Sequence, residues 1–466
     1  MALSKIWSAF IIIAILVATA TLFFSHDGKN MYNDLVVGKQ GDTSLTQMQD
    51  SAHLPAGIIN TIAKNKEYKN GDQKYIKTAD GKYISYHEQQ ADGILATCTN
   101  AVTICIGLIG IMALFMGFLA IAEKAGAIQF LSRIIGPFFN RLFPELPKNH
   151  PAFGHMILNF SANLLNLDNA ATPFGIKAME SLQEMNPHKD KASNAQIMFL
   201  CLHASGLTLI PVTIIAFRSK LGAANPTDIF VPCMIATFAA TVAAMLIVSF
   251  KQKINVMQPV IIGWVLGISA VIAALVVYLR TLTKDEVDHF SGVTSNGLIL
   301  FIFLAIVIGG LYKKVNIFEA FVDGAKGGFE TAVKIIPYLV GMLVAISMLR
   351  VSGTFDVLIN GMKHLFVSMG FDTRFVDGLP TALIKPLSGS GARGMMIDTM
   401  RTYGADSFAG RLSCVLQGSS DTTIYVVAVY FGAVSVKNTR YAIQAMLLAD
   451  LVGIIVSILL AYLFFA

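Results

Sequence analysis

The chain has 466 residues, 55% of them hydrophobic and 14% charged, with a formal charge of +6 and a mean hydropathy of +0.63. A soluble domain carries about 25% charged residues, so the composition excludes an ordinary water-soluble enzyme and makes lipid the missing solvent. The modest basicity suits cytoplasmic loops of a membrane protein rather than nucleic acid.

A crossing needs about 20 apolar residues. Runs near 6–24, 97–122, 195–217, 228–250, 258–280, 296–312, 330–350, 409–433 and 441–465 read as nine crossings. The first follows Lys5 and precedes no A-x-A-like site, so it reads as a retained helix rather than a signal peptide. Residues 25–93 are polar. The alternation in Lys74-Tyr75-Ile76-Lys77 and Lys82-Tyr83-Ile84-Ser85-Tyr86, broken at Asp80-Gly81, predicts a β-hairpin within a small extramembrane lobe. Cys98, Cys105, Cys201, Cys233 and Cys414 sit in apolar stretches without a CxxC pair or a His cluster. That pattern argues against disulfides and zinc. No cofactor is expected, and no metal is assigned.

The stretch 158–180 is too polar for lipid. It holds Asn159, Ser161, Asn163, Asn166, Asp168, Asn169, Thr172 and Pro173. Asn and Asp compete with helical backbone bonds, Pro173 cannot donate one, and Thr172 before it is pushed from the helical region. A break near 166–173 follows, with a second half-helix starting near Thr172 or Pro173. Irregular backbone at membrane depth must be buried in protein or line a wet cavity. A helix N-terminus there suits an anionic or hydrogen-bonding ligand.

The helix at 195–217 carries His203, Ser205 and Thr208, with Pro211 as a kink. A second polar hairpin runs through Lys385, Pro386, Ser388, Ser390 and Arg393 with interleaved glycines. Its two cations are costly in lipid unless paired or wet. The helix at 409–433 then carries Gln417, Ser419, Ser420, Asp421, Thr422 and Thr423. Asp421 is positioned to face Lys385 or Arg393, whereas Asp450 in the last helix reads as a lone packing or relay residue.

Landmarks recur in order. Ala122 to Leu131 matches Leu349 to Leu358, Asn169 to Met179 matches Ser390 to Met400, and His203 to Thr208 matches Gln417 to Thr422. Asn225 to Asp228 matches Lys437 to Arg440. With four crossings per unit, the unpaired helix 258–280 turns the second copy over, which predicts an inverted-topology repeat. The expected fold is all-α integral membrane, with two such repeats, a re-entrant helical hairpin in each, and the polar insert. The segments are 1–24, a first transmembrane helix; 25–93, the insert; 94–250, repeat 1; 251–295, a linker with an extra helix; and 296–466, repeat 2. Lysines and arginines in short loops favour a cytoplasmic N-terminus, which puts 25–93 in the periplasm or outside the cell.

The substrate-binding candidates are Asn163, Asn166, Asp168, Asn169, Thr172, His203, Ser205, Thr208, Lys385, Ser388, Ser390, Arg393, Gln417, Ser419, Ser420, Asp421 and Thr422. Small hydroxylated residues also hold transmembrane helices together, at about 1 kcal/mol or less each. Packing therefore competes with binding at Ser161, Ser205 and Ser419, and at His203 taken alone. No GxxxxGK[ST] loop, HExxH or GxSxG elbow occurs, and no enzyme is expected.

Two groups of motifs resemble the spore maturation proteins A and B joined in one chain. The first comprises Ala122-Glu-Lys-Ala-Gly126, Phe143-Pro144, Asn169-Ala-Ala-Thr-Pro173 and Pro226-Thr-Asp228. The second comprises Gly324-Ala-Lys326, Pro386-Leu-Ser388-Gly-Ser390-Gly, Asp406-Ser-Phe408 and Gln417-Gly-Ser-Ser-Asp421. The resemblance implies nucleoside-recognition, or gate, domains and hence a membrane gate or secondary transporter in an inner membrane. Such a protein moves or binds a small polar solute, nucleoside-like or ionic, with a coupling ion and as a possible homo-oligomer. A non-transporting scaffold or sensor in envelope or spore maturation is the alternative.

Overall fold

Long apolar runs fold here as long helices. The computed structural model describes residues 2–24, 31–43, 47–49, 61–62, 67–70, 73–77, 83–147, 150–164, 168–208, 210–279 and 281–465. Among them, six helices are long and apolar enough to cross a membrane: Ile94–Lys124, Phe230–Gln252, Pro259–Leu279, Gly292–Tyr312, Ile317–Val351 and Ala442–Phe465. A shorter apolar stretch, Trp7–Phe23, lies in the first helix. Leu266, Val271 and Val277 on one helix and Leu300, Phe301, Leu304 and Ile308 on another are exposed. Contiguous apolar exposure of that kind is stable only against lipid or a partner. The chain is a predominantly helical, multi-pass membrane protein.

Contacts divide the chain into two units. One comprises Leu3–Val102 and Val340–Gly370. It holds α1 (Ala2–Phe24), α2 (Met31–Val37), a small sheet, the start of α3 (Ile94–Lys124), the end of α12 (Ile317–Val351) and α13 (Thr354–Ser368). The sheet contains β1 (Gly38–Thr43), β2 (Gln47–Gln49), β3 (Glu67–Asn70), β4 (Gln73–Lys77) and β5 (Tyr83–Asp92). Its order is β1-β5-β4-β3, with β2 also paired to β5. β4 and β5 pair antiparallel, Ile76 opposite Ile84 and Lys77 opposite Tyr83, so the alternating sequence there folds as a hairpin. Its Asp80-Gly81 turn lies outside the described residues. Trp7 Nε1 donates to the Gly341 carbonyl at 2.9 Å, and Ser347 Oγ donates to the Asp92 carbonyl.

The other unit comprises Thr103–Leu339 and Phe371–Ala466. After α3 it contains α4 (Ala127–Leu142), α5 (Pro151–Leu164), α6 (Asp168–Met185), α7 (Asn194–Ala204), α8 (Val212–Lys220), α9 (Phe230–Gln252), α10 (Pro259–Leu279) and α11 (Lys284–Tyr312). Beyond residue 371 come a 3-10 turn (Arg374–Gly378), α14 (Leu379–Ile384), α15 (Gly389–Tyr403), α16 (Phe408–Gly418), α17 (Thr423–Ala433) and α18 (Ala442–Phe465). A core of Phe139, Phe153, Met156, Phe199, Tyr430 and Phe431 holds residues from both ends of the sequence.

Three expectations are corrected. The runs 195–217 and 409–433 are not continuous crossings, because each is broken into a pair, α7 with α8 and α16 with α17. A serine ends the first helix of each pair by turning its hydroxyl back onto the preceding turn. Ser205 Oγ donates to the Cys201 and Leu202 carbonyls at 3.0 and 3.1 Å, and Ser419 Oγ donates to the Leu416 carbonyl at 2.9 Å. Pro211 then caps α8. The third correction concerns α6, which starts at Asp168 and runs through Thr172 and Pro173. Pro173, the sixth residue of this helix, removes one i to i−4 backbone hydrogen bond without ending it.

Candidate functional site

Three chain breaks converge in the larger unit, between α7 and α8, between α14 and α15, and between α16 and α17, beside the end of α5 and the first turns of α6. The Asp421 amide donates to the Ala204 carbonyl at 2.7 Å, and the Ile424 amide donates to the Pro386 carbonyl at 2.9 Å. Buried Lys385 donates through Nζ to the Gln417 carbonyl. Thr241 Oγ1 donates to the Ser205 carbonyl at 2.9 Å. Backbone groups freed by the breaks are thus satisfied by one another and by side chains, as a low-dielectric interior demands. Gly389 permits a close approach: a Cβ there would lie 2.6 Å from Thr422 Oγ1.

The breaks border a partly open cavity of about 310 Å³. Of the sequence candidates, Asn163, Thr172, His203, Thr208, Lys385, Arg393, Gln417, Ser420 and Asp421 line it. Asp421 is exposed, whereas Lys385, His203 and Gln417 are largely buried. Lys385 and Asp421 share the cavity without an ion pair between them. Lys385 instead binds the Gln417 carbonyl, and Asp421 Oδ1 accepts from the Thr422 amide at 2.6 Å.

Other candidates serve the walls. Ser388 Oγ caps α15 by accepting from the Gly391 amide at 3.0 Å and lies 3.2 Å from Ser390 Oγ. Ser205 and Ser419 end helices as described above, and Thr422 caps α17. Asn166 lies outside the described residues, as do the side chains of Asp168 and Asn169. Asp450 is not a lone residue, because its Oδ2 accepts from Thr423 Oγ1 at 2.6 Å in a buried pair.

His203 is held by two amides. Asn159 Nδ2 donates to the Ala171 carbonyl at 2.6 Å, which leaves Asn159 Oδ1 against His203 Nδ1 at 3.0 Å. Asn163 meets the same ring nitrogen at 2.8 Å. Asn163 approaches with its Nδ2, a donor, so Nδ1 serves one amide at a time: protonated it donates to Asn159 Oδ1, and deprotonated it accepts from Asn163 Nδ2. Tyr430 meets the ring edge-on at 4.7 Å and lines the cavity together with Tyr425. Sequence reasoning missed both tyrosines and the role of Asn159. The spacing of Asn159 and Asn163, four residues apart on one helix face, was the available signal.

The two halves also exchange loops at two clasps. Ser193 and Ser407 cap α7 and α16. The loop before α7 meets the one after α17: the Ala192 amide donates to the Asn438 carbonyl, and the Lys437 and Asn438 amides to the Asp190 carbonyl, all at 2.9 Å. The loop before α16 meets the one after α8 through Arg218, which is fully buried. Arg218 pairs with Asp228 at 2.9 Å and Asp406 at 3.0 Å, and donates to the Ala405 carbonyl at 2.6 Å. Arg411 binds the other Asp228 oxygen at 2.7 Å. In the sequence Arg218 counts only as one of the short-loop lysines and arginines that bear on orientation.

Known proteins match this sequence. A relative, spore maturation protein B of Bacillus subtilis (strain 168), is 48% identical over 171 residues, which cover 37% of this chain and 94% of that protein. The chain belongs to the spore maturation protein family. Spore maturation protein A of the same organism is 39% identical over 156 residues, 34% of this chain and 80% of that protein. The family described as nucleoside recognition, Gate, matches residues 105–221 and 332–437. Those two stretches contain α7 with α8 and α16 with α17.

Proposed function

We propose that this protein is a membrane gate of the secondary-transporter type, which binds a small polar solute between two halves of inverted topology. The observation that carries the reading is the cavity of about 310 Å³ lined by residues of both halves at their chain breaks. The helix pairs α5 with α6 and α14 with α15 act as re-entrant hairpins. The reciprocal clasps at 188–194 and 404–411 support a twofold relation between 94–250 and 296–466, with 251–295 supplying the odd crossing that inverts the second copy.

In this reading the N-terminus is cytoplasmic, 25–93 lies outside the inner membrane, and the solute sits among Asn163, Thr172, His203, Lys385, Arg393, Gln417, Ser420 and Asp421. Amides and hydroxyls supply donors and acceptors for a nucleoside-like or ionic solute, and the tyrosines supply flat apolar surface. Asp421 is exposed to the cavity and couples solute to a cation. Function requires only binding and release, with no covalent chemistry. The test is uptake into vesicles containing Asp421→Asn protein at wild-type abundance. Loss of uptake is expected, and wild-type uptake refutes the role of Asp421. The names of the relatives favour a physiological setting in spore maturation.

A further inference from the structure

A second cavity abuts the first and has the opposite chemistry. It measures about 130 Å³ and is walled by Phe138, Phe160, Phe238, Met245 and Trp264. Asn163 and Gly206 line both cavities. Asn163 and Gly206 thus stand where the polar lining meets the apolar one.

The two chambers differ in charge as well as polarity. The polar chamber presents Lys385 and Arg393 beside the carboxylate of Asp421, and its cations suit an anionic head. The aromatic chamber presents Thr241 hydroxyl and the shared Asn163 as its polar side chains. Thr241 Oγ1 is already committed to the Ser205 and Thr237 carbonyls, at 2.9 and 2.8 Å. A nucleobase buried there would leave its own donors and acceptors unsatisfied, which is costly. An alkyl or prenyl chain has no such groups. A dry cavity lined by large apolar side chains holds apolar ligands and excludes water.

We infer that the solute is a single-chain anionic amphiphile, with its head in the polar chamber and the first part of its apolar chain past Asn163 and Gly206 in the aromatic chamber. The inference rests on the polar chamber being the solute site. It adds the ligand class and assigns α10, through Trp264, a part in binding.

The test uses the purified full-length chain and two soluble series, methyl to pentyl phosphate and acetate to hexanoate, with affinity measured by calorimetry. Affinity is expected to rise about fourfold per added methylene until the aromatic chamber fills. Which series shows the slope identifies the head as phosphate or carboxylate. Phe238→Trp and, independently, Val242→Phe fill the aromatic chamber and are expected to bring the longest and shortest members within twofold of each other. Binding that is flat with chain length in wild-type protein overturns the amphiphile assignment and leaves the polar-solute reading standing. No binding by any member of either series overturns the anionic head, and the uptake test on Asp421→Asn then decides the transporter reading by itself.

Discussion

The Asp421 amide and the Ala204 carbonyl are 2.7 Å apart, so each broken helix supplies the hydrogen bond that the other lacks. Ala204 ends α7, and Asp421 sits in the break between α16 and α17. The same residues that interrupt their helices therefore join the two halves, and the carboxylate that follows from this placement reaches the cavity. Backbone satisfied across the halves keeps the breaks stable without lipid-facing polar groups.

Arg218 is the strongest single fastening. Its charge is fully buried between Asp228 and Asp406, so Arg218→Ala leaves Arg411 as the cation facing both carboxylates, 2.7 Å from Asp228 and 3.9 Å from Asp406. A loss of about 3–5 kcal/mol is expected, measured as lower thermal stability and lower abundance. Arg374 pairs with Asp372 at 2.8 Å but both are substantially exposed. Arg374→Ala is expected to cost about 1 kcal/mol or less.

Gly175 faces Tyr430 closely. A Cβ at this position would lie 2.4 Å from Tyr430 Cε1 and 2.8 Å from Asn159 Nδ2. Gly175→Ala is expected to displace the ring, destabilise the protein by about 1–3 kcal/mol, and weaken solute binding through Tyr430 and His203. Gly154, in α5, has open space around it, and Gly154→Ala is expected to be neutral or stabilising by helix propensity. Thermal unfolding of the two variants side by side checks both.

Ser388 separates a wall role from a binding role. Its hydroxyl caps α15 at the Gly391 amide, so Ser388→Ala is expected to cost about 1 kcal/mol of stability with solute affinity unchanged. Ser388→Asp, which preserves an N-cap acceptor, is expected to recover most of that loss. A large change in affinity at unchanged stability contradicts the assignment.

Much of this arrangement is written locally. Asn166, Pro173, Ser205, Pro211, Pro386 and Ser419 are helix breakers or competitors in otherwise apolar surroundings, and the breaks fall close to them. Local signals misjudge the extent of each break. Pro173 is absorbed near the start of α6, while serines at 205 and 419, which look like packing residues, end helices by back-bonding. What the sequence cannot display is pairing across distance. Arg218 reads as a loop charge until Asp406, 188 residues later, folds against it. Asp450 reads as solitary until Thr423 donates to it. Tyr430 is indistinguishable from core until His203 lies beneath its edge.

The central claim is that the chamber between the breaks is reached by water and solute. Single cysteines at Thr172→Cys and Ser420→Cys, in a chain lacking its five native cysteines, can be challenged in sealed vesicles with a membrane-impermeant thiol reagent. Both are predicted to react well above the rate of lipid-facing Leu304→Cys, and to be protected by bound solute. Reaction no faster than Leu304→Cys from either side of the membrane would contradict the account.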